Sequence, residues 1–485
     1  MRITFIILAL LITSSLKSQI TIDTSFEGAN ARVLSIDNSA NTLKMESVLK
    51  RGDIHNVVFY FKVSGIDSTR AFKLKVKYTQ QYYLPALLAY SYDKITWYRI
   101  SGAIVGDSKE FTNLYSRRTV YFSHGYPYVY SRLNDLISQY SGNPFVTVSN
   151  VSTSELGRAV KLFKFTNPNI NDTGKFAVWV LGRNHAMETH SNYVVEGLMN
   201  FLASADPKAD YLRTKAIVHV IPIMDVDMAA IGGTGKDQNP IDFNRDWDSP
   251  SYWNAVKDVK AKILQTYSQN RIKLFIDSHD PFPSNADTTM RLFMYSYTDT
   301  GRKSVNLNTF RNKLFNNGGY WFGRYPIYPT AGQTSSRWVD SMFKSIDFAV
   351  SIETGWVTRT DGNTWTIYFY LKHGEVIGKG ISDYIAQSTP VIESNEIVKD
   401  FVNAYPNPFN SSANIKFSIS KRYVVSLKIF DALGREVSRE ELGTLNAGTY
   451  NHKFNAANLT SGIYFYSIND KNGTTLHKGK LVLLK

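Results

Sequence analysis

Four runs of uninterrupted apolar residues, "KFAVWVLG", "KAIVHVIPI", "IKLFIDS" and "FAVSIE", constrain this chain more than any other feature. A strand that alternates apolar and polar residues can leave one face in water, whereas an unbroken run has to be covered on both faces. Between the runs lie longer stretches with helical spacing, such as Val194, Leu198 and Leu202. The alternation predicts an α/β domain around a buried, mixed sheet, spanning residues 131–387. Each run closes in ionisable or polar residues, "GRNHAME", "MDVD", "DSHD" and "ETGW". Ligands of open α/β sheets bind beyond the carboxyl ends of the strands, so the four ends are expected to converge on one site.

On either side the pattern changes. Residues 19–130 hold short runs that alternate aromatic and polar residues, "HNVVFYFKVSG", "AFKLKVKY" and "TWYRIS", with turn residues between them. They read as an antiparallel β-sandwich. A polar connector at 388–402 leads to "AYPNPFN", whose prolines rule out helix, and then to the short strands "NIKFSIS", "VVSLKIFDALGREV" and "GIYFYSIND" of a second sandwich at 403–485. The first eighteen residues place Arg2 ahead of an apolar run from Ile3 to Ile12 and then small polar residues, the layout of a secretory signal peptide. That run is too short to span a bilayer, and no later stretch replaces it, so the mature chain is expected to be exported without a transmembrane segment.

An exported chain could use disulfides, but this one has no cysteine, so any zinc site must be built from nitrogen and oxygen. The formal charge of +14 favours acidic partners without naming one. Its basic clusters, "RIKLF" and "FKLKVKY", interleave with apolar residues at strand period, which reads as a solvated strand face and not as a nucleic-acid surface.

His185 and Glu188 stand three residues apart where the first apolar run meets a helical stretch, so both can address one point, and histidine with a carboxylate is an ordinary zinc pair. A surface histidine beside a helix-capping glutamate explains the same spacing. A catalytic zinc needs a third ligand, and His279 at the end of "FIDSH" is the best placed. His219 falls within a strand and reads as core; His190, His373, His452 and His477 have ordinary polar neighbours. In "DFNRDW", Arg245 beside Asn244 makes a fork for a carboxylate, against the simpler reading of a salt bridge to Asp246 or Asp248. Asp242 could accept the second ring proton of a zinc-bound histidine. Glu353 closes the last run, where it is either a general base or a solvent-facing strand end.

Taken together, "GRNHAMETHSNYVVEGLMNFL", "DFNRDW", "DSHD" and "SIETGW" resemble, in order and separation, the motifs of the zinc metallocarboxypeptidases. The stretch from "VVFYFKVSG" to "TWYRIS" is similar to the β-sandwich that precedes the catalytic domain in the cytosolic-carboxypeptidase-like branch. The resemblance implies one zinc ion on His185, Glu188 and His279. It further implies Asn244 and Arg245 on the substrate's terminal carboxylate, Glu353 as general base, and a peptide or protein C-terminus as substrate. Two departures stand out. "MDVDM", Met224 to Met228, replaces the family's usual Asn-Pro-Asp-Gly, and Lys236 is the nearest cation where an arginine often stabilises the oxyanion. No tyrosine takes the place of the substrate-capping one, and "AGQTSSRWVDSMF" offers Trp338 instead. The tail resembles the C-terminal sorting domain of the type IX secretion system, which implies outer-membrane secretion machinery as a partner and a secreted or cell-surface location. The alternatives are a zinc amidase or deacylase on a small molecule or cell-wall peptide, and a non-catalytic surface binding protein.

Overall fold

The strand Phe72–Lys77, "FKLKVK", shows how residue alternation builds the first part of the molecule. Phe72, Leu74 and Val76 are buried while Lys73, Lys75 and Lys77 line the opposite face. Lys73 and Lys75 reach Glu110 on the paired strand Ser108–Asn113, at 3.3 and 2.7 Å, so the basic run is answered by an acid of its own sheet. The computed structural model describes residues 19–78, 85–248, 250–281, 290–294, 302–319, 322–323, 334–343, 345–356, 363–387, 402–419, 423–446 and 448–485. Residues 1–18, which the sequence reads as a signal peptide, and the connector, apart from Val402, lie outside the described residues.

The N-terminal region forms two five-stranded sheets. One runs in the order Thr21–Asp23, Tyr60–Ser64, Thr119–Ser123, Leu87–Ser91, Trp97–Ser101, and the other Arg32–Asp37, Thr42–Glu46, Phe72–Lys77, Ser108–Asn113, Ala103–Val105. Phe61, Val63 and Phe122 of the first sheet share one core with Leu43, Met45 and Leu74 of the second, and Phe72 stacks on Phe122 at 5.9 Å. One pairing departs from the antiparallel expectation: Thr42–Glu46 lies parallel to Phe72–Lys77. Alternation fixes which face a strand buries but not its direction, so the pattern could not show this.

The middle region is an eight-stranded mixed sheet, ordered Val146–Thr153, Ala159–Phe165, Ala216–Ile221, Phe176–Gly182, Ile272–His279, Phe348–Glu353, Met290–Met294, Phe322–Gly323. The four apolar runs are its four central strands, mutually parallel. All eight residues of Ile272–His279 are buried. Each Val, Leu, Ile or Phe so buried contributes roughly 1.5–3 kcal/mol relative to exposure. Both basic positions of "RIKLF" pair with Asp347, 2.9 Å from Arg271 and 2.7 Å from Lys273. Helices Thr189–Ala203 and Ile367–Gln387 cross with their backbones in contact. A Cβ on Gly197 would lie 2.0 Å from the Leu371 carbonyl oxygen, and one on Gly374 would lie 1.9 Å from that of Val194.

The chain divides into two compact units, 1–389 and 390–485. The second holds a three-stranded and a four-stranded antiparallel sheet, with Ile415, Phe417, Leu427, Ile429, Phe454 and Ile468 in a core of its own. Asn407 of "YPNPFN" fastens the start of this unit to its final strand, donating to the Lys480 carbonyl at 2.7 Å and accepting from the Val482 amide at 2.8 Å.

Candidate metal centre

The strand Phe176–Gly182 ends at Gly182, and Arg183 to Glu188 form a turn before the helix Thr189–Ala203 begins. His185 and Glu188 therefore precede the helix where the sequence placed them at its start. Glu188 occupies the N-cap position, yet its side chain makes no capping hydrogen bond. The helix is capped by the residue after the strand Ile272–His279: Asp280 accepts from the amides of His190 and Ser191, both at 2.8 Å. This leaves the Glu188 carboxylate free to face the two imidazoles.

His185, Glu188 and His279 are all buried, with one ligand atom from each within 4.8 Å of the others. His185 Nδ1 lies 2.7 Å from Glu188 Oε1, and His279 Nδ1 lies 2.7 Å from Glu188 Oε2. The remaining ring nitrogens are held by acids: His185 Nε2 is 3.0 Å from Asp242, and His279 Nε2 is 2.8 Å from Asp277. Two Nδ1 atoms and a carboxylate converging, each ring steadied from behind by a carboxylate, is a donor set suited to zinc. Burial works against both imidazolium forms, but Asp242 and Glu188 raise the pKa of His185, and Asp277 and Glu188 hold that of His279 well above the usual range.

Glu353 lies directly opposite His279 in the parallel register. Its Oε2 is shielded from water and has no hydrogen-bond partner, so this is not a solvent-facing strand end. Burial pushes its pKa up to about 7 against the pull of His279. Lys236 Nζ stands 3.3 Å from His185 Nδ1 and 4.0 Å from Glu188 Oε1.

Asn244 is buried, its Nδ2 3.0 Å from His279 Nε2 and its Oδ1 accepting from the Ser335 amide at 2.9 Å. Arg245 forms no ion pair among the described residues; it donates to the Asn244 carbonyl at 3.0 Å, while Asp246 accepts from the Tyr252 and Trp253 amides. Trp338 is buried against Trp247, at 5.8 Å between ring centres.

Three of the four strand ends meet here. In the fourth, "MDVD", Asp225 caps the helix Val226–Ile231 by accepting from Met228, and Asp227 pairs with Arg51 and Arg158. Those acids are consumed locally, which is why that end adds no ligand. His219 is core, stacked on Trp179 at 4.5 Å. His190 and His373, given polar surroundings by the sequence reading, are fully buried; His190 packs against Trp356 and Tyr370 and lies 2.8 Å from Arg99. Sequence reasoning also missed Asp277 and Asp280. Asp277 was within reach, because strand period places it on the same face as His279 two residues on.

Residues 129–353 match the family model described as zinc carboxypeptidase, and residues 403–482 match that of the secretion system C-terminal sorting domain. Cytosolic carboxypeptidase 2 of Xenopus tropicalis is 28% identical over 201 residues, 39% of this chain and 20% of that protein. Cytosolic carboxypeptidase 6 of Mus musculus is 24% identical over 283 residues, 54% of this chain and 51% of that protein. The chain thus spans between a fifth and about half the length of these curated relatives. Among solved structures, a metallo-carboxypeptidase from Burkholderia cenocepacia superposes with a TM-score of 0.67 at 17% identity, covering 76% of this chain and 99% of that one. One from Pseudomonas aeruginosa, in complex with (2-guanidinoethylmercapto)succinic acid, gives 0.65 at 20%, covering 75% and 100%. At these identities the likeness establishes a shared fold.

Proposed function

Since residues 129–353 belong to the zinc carboxypeptidase family and a secretion sorting domain follows them, we propose that this chain is a secreted, zinc-dependent carboxypeptidase that removes C-terminal residues from peptides or proteins. The observation that carries the reading is the buried His185–Glu188–His279 cluster with the unpartnered Oε2 of Glu353 beside it. His185 Nδ1, Glu188 and His279 Nδ1 would hold one zinc ion, which supplies Lewis acidity, polarising a carbonyl and acidifying water.

Glu353 takes a proton from the attacking water at its carboxylate and returns it to the departing amine as the peptide C–N bond breaks, which leaves a new carboxylate and a free amino acid. A carboxyl group raised toward neutrality suits both halves of that transfer. Arg245, with Asn244 beside it, offers two parallel donors to the substrate's terminal carboxylate, which fixes cleavage one residue from the end. Lys236 brings positive charge to the side where the carbonyl oxygen becomes anionic.

The shared core of the two N-terminal sheets supports the reading of 19–130 as a sandwich ahead of the catalytic domain 131–387, and the family match supports 403–485 as the export tail. Mass spectrometry of a peptide library treated with the zinc-loaded protein, beside the Glu353→Gln variant, tests the proposal. Single C-terminal residues should be lost with the native protein alone. An intact library despite bound zinc would exclude exopeptidase action and turn the search to amide substrates of the cell wall.

A further inference from the structure

The loop that carries Lys236, "GGTGKDQN" at 232–239, is gripped from outside by residues of the N-terminal region. Asp53 accepts from two successive backbone amides, Thr234 on Oδ2 and Gly235 on Oδ1, both at 2.9 Å. Around this fork, Thr234 Oγ1 donates to the His55 carbonyl at 2.7 Å, Asn239 N donates to that of Gly52 at 2.8 Å, and His55 Nε2 lies 3.1 Å from Asp237. The inner side of the loop is fastened to the ligand frame. The Met187 amide, between His185 and Glu188, donates to the Thr234 carbonyl at 2.9 Å, and the Asp237 amide donates to Asp242 at 2.7 Å. Gly235 has a φ of +66° and a Cβ there would lie 2.8 Å from the Ala186 nitrogen, so the loop is pressed against the turn that bears the ligands.

Asp53 is an expensive way to fasten a loop. It is 8% exposed, burial pushes its pKa up, and the amides of Lys50, Thr234 and Gly235 donate to its carboxylate, with no ion pair among the described residues. A buried carboxylate with no ion pair is costly unless its hydrogen bonds are well made, and two successive amides on one carboxylate fix the orientation of the two peptide units, 233–234 and 234–235, that they belong to. Lys236 follows Gly235 directly, so that orientation sets where its ammonium group falls.

We propose that Asp53 is a positioning residue of the active site, holding the 234–235 peptide so that Lys236 reaches the reacting carbonyl. The N-terminal sheets thereby contribute to turnover through the backbone. This inference rests on the reading of Lys236 as the anion-stabilising cation, and the test separates the two. Steady-state hydrolysis of one readily cleaved peptide would be compared for the native chain, Asp53→Ala, Lys236→Met and the double variant, with zinc content measured on each. Asp53→Ala should lower kcat about 10-fold or more with KM within about twofold and zinc retained; on the Lys236→Met background it should add less than about twofold. Asp53→Asn, which can still accept one amide, should fall between native and alanine. A native rate in Asp53→Ala, a full penalty in the double variant, or zinc loss in both Asp53 variants would each overturn the inference. Full activity in Lys236→Met would instead overturn the role of the lysine.

Discussion

At the scale of residues, the centre is built on carboxylates placed behind its two imidazoles. Asp277 receives hydrogen bonds from Asn184, at 2.8 Å, and from the Ser335 hydroxyl while holding His279. Asp277→Asn should therefore weaken zinc binding by about 10–100-fold with the fold intact, measurable by competition with a chromophoric chelator. Glu353→Gln should retain stoichiometric zinc while turnover drops by about 100-fold to 10,000-fold, the usual worth of a general base. Glu353 must be ionised to act, so activity should fall as the pH drops through its pKa. Burial sets that at about 7 without a cation, and a bound dication lowers it, so the acid limb of kcat/KM should lie below about 7 and disappear in Glu353→Gln. The His185–Glu188–His279 cluster was legible in the sequence because strand ends and helix starts are local patterns. Asp53 and Arg99 were not, since each acts on a segment more than 90 positions away and no periodicity links them.

Among elements, the four apolar runs were readable as central strands because covering both faces leaves no other residue pattern. The parallel pairing of Thr42–Glu46 with Phe72–Lys77 and the transfer of helix capping from Glu188 to Asp280 were hidden, both being facts about partners and not about segments. Asp280→Ala removes two hydrogen bonds from the start of helix Thr189–Ala203. It should cost about 0.5–2 kcal/mol in denaturant unfolding and also reduce zinc affinity, because the freed amides compete for Glu188. Gly374→Ala puts a methyl group into the contact with Val194 and should destabilise by about 1–3 kcal/mol or more, with a lower denaturant midpoint and unchanged kcat in the folded fraction.

Across the whole molecule, two separate cores serve the N-terminal sheets and the mixed sheet within the first unit, and a third serves the second unit. A chain ending at residue 389 should fold, bind zinc and cleave peptides like the full one, whereas removal of 19–130 should leave an insoluble or inactive product, because it strips Asp53 and Arg99 from their partners. The two units also differ in how far along the chain their contacts reach. In the second, strand Tyr423–Phe430 pairs with Glu436–Leu445, and Gly462–Asp470 with Thr475–Leu483, across short connections. In the first, the strands Phe176–Gly182 and Ile272–His279, which bring the cluster together, meet only after about ninety intervening residues have found their places. Rates of folding fall as contacts become less local. In a refolding chain the sorting domain should accordingly reach its native shape well before the first unit does, so that its surface is complete while the metal cluster is still unassembled.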